Sequence, residues 1–371
     1  VLVDGRETRS IREVAGPEGP LVEVIDQTAL PHRVRRVTLN TAEDAERAIR
    51  DMWVRGAPLI GVTAAYGLAL ACRSDASDER LGAAARQLQN TRPTAINLRW
   101  AIRDLLEHLT SLPAADREVA AFARARQLAD EDVVRCRAIG RHGRSVLEAV
   151  ARQVDRDGPL HVLTHCNAGW LATVDWGTAL APVYAMHREG RPVHVWVSET
   201  RPRNQGASLT AWELREEGVA HTVITDNASG HLLSTGRVDV VLTGTDRTTA
   251  AADVCNKIGT YMKAVAARDA GVPFYAAVPG PSIDWEIGEG EADRIPIEER
   301  DPSEVSEVRG LDPDARPSAV RITPERTAVF NPGFDVTPAR LVTGLITERG
   351  VCAATPEGLR ELYPSPRKKR W

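Results

Sequence analysis

A thiol and a carboxylate stand out for their settings. Cys166 lies in Leu163-Thr164-His165-Cys166-Asn167-Ala168-Gly169, just past the apolar run Leu160 to Thr164. Asp246 lies in Gly244-Thr245-Asp246-Arg247, just past Val238 to Leu242. A thiol so placed is a buried apolar group, or a proton-handling group if a following helix and a nearby Arg lower its pKa. An Asp so placed is paired to a neighbour such as Arg247, or is a general acid if an apolar pocket raises its pKa. Other polar groups follow the other apolar runs: Ser198-Glu199-Thr200-Arg201, Asp226-Asn227 and Pro279-Gly280. His165 reads equally well as a structural hydrogen bonder.

Cationic groups accompany this pair. Arg55 precedes Gly56, Ala57 and Pro58, and its guanidinium fork suits an anion. Arg92 offers a second such fork. Lys257 stands at the start of the helix expected over Ile258 to Ala270, where positive charge reinforces an anion site. Each of these alone is more often a surface residue.

The elements that must position these groups fall into two halves. Short β-branched runs recur at Leu160–Thr164, Val193–Val197, His221–Thr225, Val238–Leu242 and Phe274–Val278. Helical stretches separate them at Thr178–Arg188, Ser208–Glu217 and Ile258–Ala270. The runs lack alternation, which suits strands covered on both faces, and the strand–helix order predicts an α/β, doubly wound, Rossmann-like parallel sheet. In such sheets ligands bind outside the carboxyl ends of the strands, where the polar groups above cluster.

Before Asp155–Pro159 the pattern is mainly helical: Thr41–Met52, Asp78–Asn90, Ala95–His108 and Ala115–Gly143, preceded by two short strands at Leu21–Ile25 and His32–Leu39. The division expected is 1–150, a smaller β-ribbon and helical domain, and 151–371, the Rossmann-like domain. Asp284–Pro317 is polar and without pattern, and reads as a long, partly mobile excursion. The basic Arg367-Lys368-Lys369-Arg370 reads as a solvated tail.

Composition limits the partners. The 371 residues are 43% hydrophobic with net charge −4, which gives no global attraction to nucleic acid or anionic membrane. The apolar Ala57–Ala71 is too short to span a bilayer, and the N-terminal residues show no signal pattern. Five scattered Cys without a C-x-x-C pair suit free thiols in a reducing, cytoplasmic compartment. P-loop, nucleophile-elbow, dinucleotide and zinc-helix motifs are missing, so neither cofactor nor metal is expected.

Seven segments then carry a resemblance. Arg55-Gly56-Ala57-Pro58, Arg92-Pro93-Thr94-Ala95-Ile96-Asn97, Leu163 to Gly169, Glu199-Thr200-Arg201-Pro202-Arg203 with Gln205-Gly206-Ala207, Asn256-Lys257-Ile258-Gly259-Thr260-Tyr261, Ile295 to Arg300, and Asn331 to Pro338 occur in that order. The chain resembles the methylthioribose-1-phosphate isomerase family, whose wider superfamily includes ribose-1,5-bisphosphate isomerases and regulatory subunits of a translation-initiation exchange factor. The resemblance implies an aldose–ketose isomerase that converts a 5-substituted 5-deoxyribose 1-phosphate to the ribulose 1-phosphate, in a salvage role and as a homodimer. It implies Cys166 and Asp246 as the catalytic pair, and Gln205, Asn256 and Lys257 as substrate contacts beside Arg55, Gly56, Ala57 and Arg92. The alternatives are a ribose-1,5-bisphosphate isomerase and a non-catalytic regulatory subunit.

The sequence departs from the family at Trp170, Trp176, Ser198, Thr248 and Ala251-Ala252. Trp170, Trp176 and Thr248 are therefore expected to shape the pocket, either by drift or for a different 5-substituent.

Overall fold

The computed structural model describes every residue except 4, 5, 18, 93, 94, 155, 156 and 365–371. The basic tail at Arg367–Arg370 lies outside the described residues, as do Pro93 and Thr94.

After a short two-stranded ribbon, Leu2–Val3 with Arg6–Glu7, the N-terminal half forms a three-stranded antiparallel sheet, β1 (Ile11–Gly16), β2 (Gly19–Ile25) and β3 (Arg36–Leu39). It thus has one strand more than the expected ribbon. Five helices follow: α1 (Ala42–Arg50), α2 (Ala57–Ser74), α3 (Asp78–Thr91), α4 (Ile96–Leu109) and α5 (Ala114–Gln153). Thr41 starts α1 with a closed capping box: the Asp44 amide donates to its hydroxyl, and its own amide donates to Asp44. Helix α2 is apolar nearly all round because it is central, packed by α1, α3, α4 and α5. At 18 residues it is long and apolar enough to cross a membrane, but 83% of it is buried inside this core.

A seven-stranded sheet organises the second half. Its strands are β4 (Leu160–Thr164), β5 (Val193–Ser198), β6 (Ala220–Ile224), β7 (Val240–Thr243), β10 (Phe274–Ala277), β15 (Gly344–Thr347) and β16 (Gly350–Cys352). The spatial order is β16-β15-β10-β7-β4-β5-β6, all parallel except β16. Helices α5, α6 (Ala181–Arg188) and α7 (Ala211–Glu216) pack on one face, and α8 (Ala228–Ser234) and α9 (Thr260–Asp269) on the other. Covered on both sides, Val162, Val195 and Val240 are fully buried, which is why the runs read as continuous apolar segments.

The chain leaves β4 toward β5 and β6, then returns to the opposite side of β4 to form β7. The sheet therefore reverses direction between the neighbouring strands β4 and β7, the place where open α/β sheets form a ligand crevice. A second sheet, β11-β8-β9-β14, stands over that end: β8 (Arg247–Thr249), β9 (Val254–Lys257), β11 (Ile283–Asp284) and β14 (Phe334–Thr337).

The polar excursion contains regular structure. After a helical turn at Ser303–Ser306 it forms a hairpin, β12 (Glu307–Leu311) with β13 (Pro317–Arg321), that walls a groove. Arg201 anchors it by donating to the carbonyls of Glu304 and Val305 at 3.2 and 2.9 Å, and Arg203 pairs with Glu304 at 2.7 Å.

Candidate active site

Cys166 and Asp246 line one small chamber at the switch point, with Arg55, Gly56, Ala57, His165, Asn167, Thr245, Asn256 and Pro279 among the other walls. The chamber holds about 30 Å³ and adjoins one of about 20 Å³ that shares Ala57 and Asp246 and is lined by Arg92, Arg247 and Phe334. Arg55 also borders the hairpin groove of about 860 Å³, so one side chain joins groove and chamber.

Cys166 sits in a left-handed backbone conformation, φ 63°. Such a conformation in a non-glycine residue persists only where the surroundings impose it. Here the Cys166 amide donates to the Thr200 hydroxyl at 2.8 Å, and the Thr210 hydroxyl donates to the Cys166 carbonyl at 2.7 Å. No helix begins directly after Cys166 to lower the thiol pKa; a short helical turn, Trp170–Ala172, follows first. Burial instead pushes the Cys166 thiol up, against the opposing pull of Arg55 and Lys257.

Asp246 is likewise pushed up by burial, with Lys257, Arg55 and Arg92 drawing it back. Its neighbour Arg247 does not neutralise it. Arg247 donates to Asp284 at 3.0 Å. A carboxyl kept toward its neutral form in a closed chamber can donate a proton.

The cationic side is built by the N-terminus of α2. Arg55 donates to the Asn167 carbonyl at 2.7 Å and to the Asn167 side-chain oxygen. Gly56 has φ 91°, and a Cβ there would lie 2.5 Å from the Ala172 carbonyl oxygen. Only glycine lets this turn press against the loop after β4. Gly56, Ala57 and Pro58, at the start of an 18-residue helix, line the chamber, which thus meets the positive end of the helix dipole.

Arg92 is buried and donates to Glu298 at 3.1 Å, which ties it to the segment leading into the hairpin. Lys257 ends β9 rather than beginning α9, which starts at Thr260. Its ammonium donates to the Gly333 carbonyl at 2.8 Å and lies 4.5 Å above the Phe334 ring, and burial lowers its pKa. Asn256 faces the chamber and donates to Thr260 at 3.0 Å. Gln205 faces the groove, not the chamber. His165 packs its ring against Gly259 and holds the Ile258 carbonyl at 2.7 Å through Nε2; burial first, then Lys263, keeps it neutral with a pKa near 3.

Three expected pocket residues are elsewhere. Trp170 is fully buried against Trp212. Trp176 is contacted by Arg137 and Arg188, whose guanidinium groups lie 5.5 and 4.4 Å from its ring centre. Thr248 is buried in β8 and reaches the chamber only by donating to Thr245. They neighbour the motifs in sequence, but none of the three lines the chamber.

Some residues that organise the site carried no assigned role in the sequence. Thr200 and Thr210 clamp Cys166. Asp226 accepts from the Thr200 and Arg201 amides at 2.9 and 2.7 Å and shapes the turn after β5. Glu213, in the apolar stretch Ala211-Trp212-Glu213-Leu214, is fully buried behind Asn167. A lone Glu in such a stretch was the one available signal.

The model of the initiation factor 2 subunit family matches residues 53–354. This chain belongs to that family. The methylthioribose-1-phosphate isomerase of Methylorubrum populi is 60% identical over 366 residues, covering 99% of each chain, and that of Sinorhizobium medicae is 59% identical over 347 residues, covering 94% of this chain and 95% of the relative. Among solved structures, 5-methylthioribose 1-phosphate isomerase from Pyrococcus horikoshii superposes with TM-score 0.80 at 38% identity, covering 97% of this chain and 96% of that one. Translation initiation factor eIF-2B subunit delta from A. fulgidus superposes with TM-score 0.77, also at 38% identity, covering 97% and 100%.

Proposed function

We propose that this family member is a sugar-phosphate aldose–ketose isomerase that converts 5-methylthioribose 1-phosphate, or a close 5-substituted analogue, to the ribulose 1-phosphate. The observation that carries the reading is the shared chamber of Cys166 and Asp246, set beside Arg55 and the N-terminus of α2. The full-length isomerase relatives support it.

The substrate is an aldose whose anomeric oxygen is esterified, so the ring must open by breaking the bond from C1 to the ring oxygen. Asp246, held toward its protonated form, donates to that oxygen. The phosphate lies against Arg55 and the Gly56 and Ala57 amides, with Arg92 as a second cation. The sugar lies in the groove, past Arg55 and Gln205, and presents its reacting end to the chamber.

Hydrogen must also move from C2 to C1. Abstracting a carbon-bound proton needs a strong base, and a buried, protonated Cys166 thiol beside an incoming phosphate dianion is a poor one. A hydride shift from C2 to C1 needs a base only for the C2 hydroxyl proton. That proton becomes strongly acidic as the carbonyl forms, and it returns to the Cys166–Asp246 pair, restoring the acid. The electrostatics favour this second route.

We also read the chain as two domains, 1–150 and 151–371, as a cytoplasmic protein with free thiols, and as a homodimer. Tyr261, Met262 and Val265 stand exposed together on α9 and suit a second copy. A regulatory-subunit reading draws on the eIF-2B neighbour, but such a subunit would have no use for a buried acid and thiol in one chamber. Turnover of 5-methylthioribose 1-phosphate, 5-deoxyribose 1-phosphate and ribose 1,5-bisphosphate, compared side by side, tests the substrate. Preference for the bisphosphate would overturn the 5-deoxy assignment.

A further inference from the structure

Glu213 lies behind the chamber and has no part in the chemistry above, yet four donors converge on it. Oε1 accepts from Asn167 Nδ2 and the Leu171 amide, both at 2.9 Å. Oε2 accepts from the Trp170 amide at 2.8 Å and the Tyr184 hydroxyl at 2.7 Å. The side chain is fully buried, and a Cβ on Gly169 would lie 1.8 Å from Oε2. The loop after β4 is thus wrapped around this carboxylate. Burial raises its pKa to about 7 against the pull of the same four donors.

Asn167 is the link forward. Its amide nitrogen donates to Glu213 and to Thr210 at 3.2 Å, which fixes its oxygen toward the Arg55 guanidinium. An Asn amide can turn over at little steric cost, so its direction is set by its partners. An acceptor on the Glu213 side keeps the oxygen, and not the NH2 group, facing Arg55.

We propose that Glu213 is a positioning residue for phosphate recognition, acting through Asn167 to aim Arg55 at the substrate phosphate. This rests on the reading of Arg55 as a phosphate contact. The ionised carboxylate suits this role because all four partners donate. In Glu213→Gln the new NH2 group meets either the Trp170 amide and Tyr184 or the Leu171 amide and Asn167. In the second case Asn167 turns over and presents donors to Arg55.

The test is a double-mutant cycle in the full-length protein, with Arg55→Ala, Glu213→Gln and the double variant. KM for 5-methylthioribose 1-phosphate and the affinity for inorganic phosphate are both read. Glu213→Gln is expected to weaken both by roughly tenfold when Arg55 is present and to have almost no further effect when it is absent. Equal effects in both backgrounds, or a loss of thermal stability with KM and phosphate affinity unchanged, would overturn the proposal. If Glu213→Gln does not fold, Asn167→Ala takes its place in the cycle, with the same outcomes expected. Tyr184→Phe, which removes one donor outside the relay, should lower stability and leave KM unchanged. Wild-type protein that neither turns over the sugar nor binds phosphate would instead remove the reading on which this rests.

Discussion

Arg247 turns its guanidinium to Asp284, 3.0 Å away, and not to Asp246, the residue before it in sequence. Asp246 is consequently left to the buried chamber it shares with Cys166, where its pKa is raised. Asp246→Asn keeps the shape and removes the proton. It should lower kcat by roughly 100- to 10,000-fold, with KM changed far less. Steady-state kinetics checks this.

A required acid gives a signed pH dependence. Turnover should be full below the raised Asp246 pKa and fall as pH rises through it, since the ionised form cannot donate. A pH–kcat profile in which activity instead rises through that limb would assign Asp246 the role of base.

The Cys166 thiol is raised by burial, so its reactive thiolate is scarce near neutrality. Alkylation of Cys166 by iodoacetamide, followed by mass spectrometry, should be slow at pH 7, quicken as pH rises past the ordinary thiol range, and be slowed further by bound substrate. Fast labelling at pH 7 would contradict the electrostatics described here.

Gly56 should tolerate no side chain. Its φ is 91°, and any Cβ would stand 2.5 Å from the Ala172 carbonyl oxygen. Gly56→Ala should therefore cost about 2 kcal/mol or more in stability and displace Arg55. Urea unfolding reads the first effect, and a raised KM the second.

Glu213 should leave a mark on stability against pH. Its pKa is near 7 in the folded protein and ordinarily 4.5, so the folded state binds the extra proton between those values. Stability must then fall as pH rises from 4.5 to 7, by an amount on the order of 3 kcal/mol relative to Glu213→Gln. Urea unfolding of both proteins at pH 5 and pH 7.5 measures the difference.

The centre of the sheet was legible because its strands are buried on both faces and leave apolar runs such as Leu160–Thr164, whose bounds match the strand. The Cys166 and Asp246 positions were legible for the same reason, as polar groups just past such runs. The hairpin Glu307–Arg321 left no such trace, since nearly all its side chains face solvent. Strand β1 was hidden by its charges, with Arg12 and Glu13 between Ile11 and Val14. Trp170 and Trp176 neighbour the motif in sequence without lining the chamber, since residues adjacent along the chain need not face the same way. Arg92 was read only as a phosphate contact, because Glu298 is 206 residues away in sequence.

The most direct measurement follows the reaction itself. Wild-type protein and Asp246→Asn would be incubated with 5-methylthioribose 1-phosphate in deuterated water and followed by phosphorus and proton NMR. The account predicts ketose from the wild type, almost none from the variant, and C1 retaining the hydrogen that began on C2. Ketose carrying solvent deuterium at C1 would contradict the hydride route, and no ketose from the wild type would contradict the isomerase assignment.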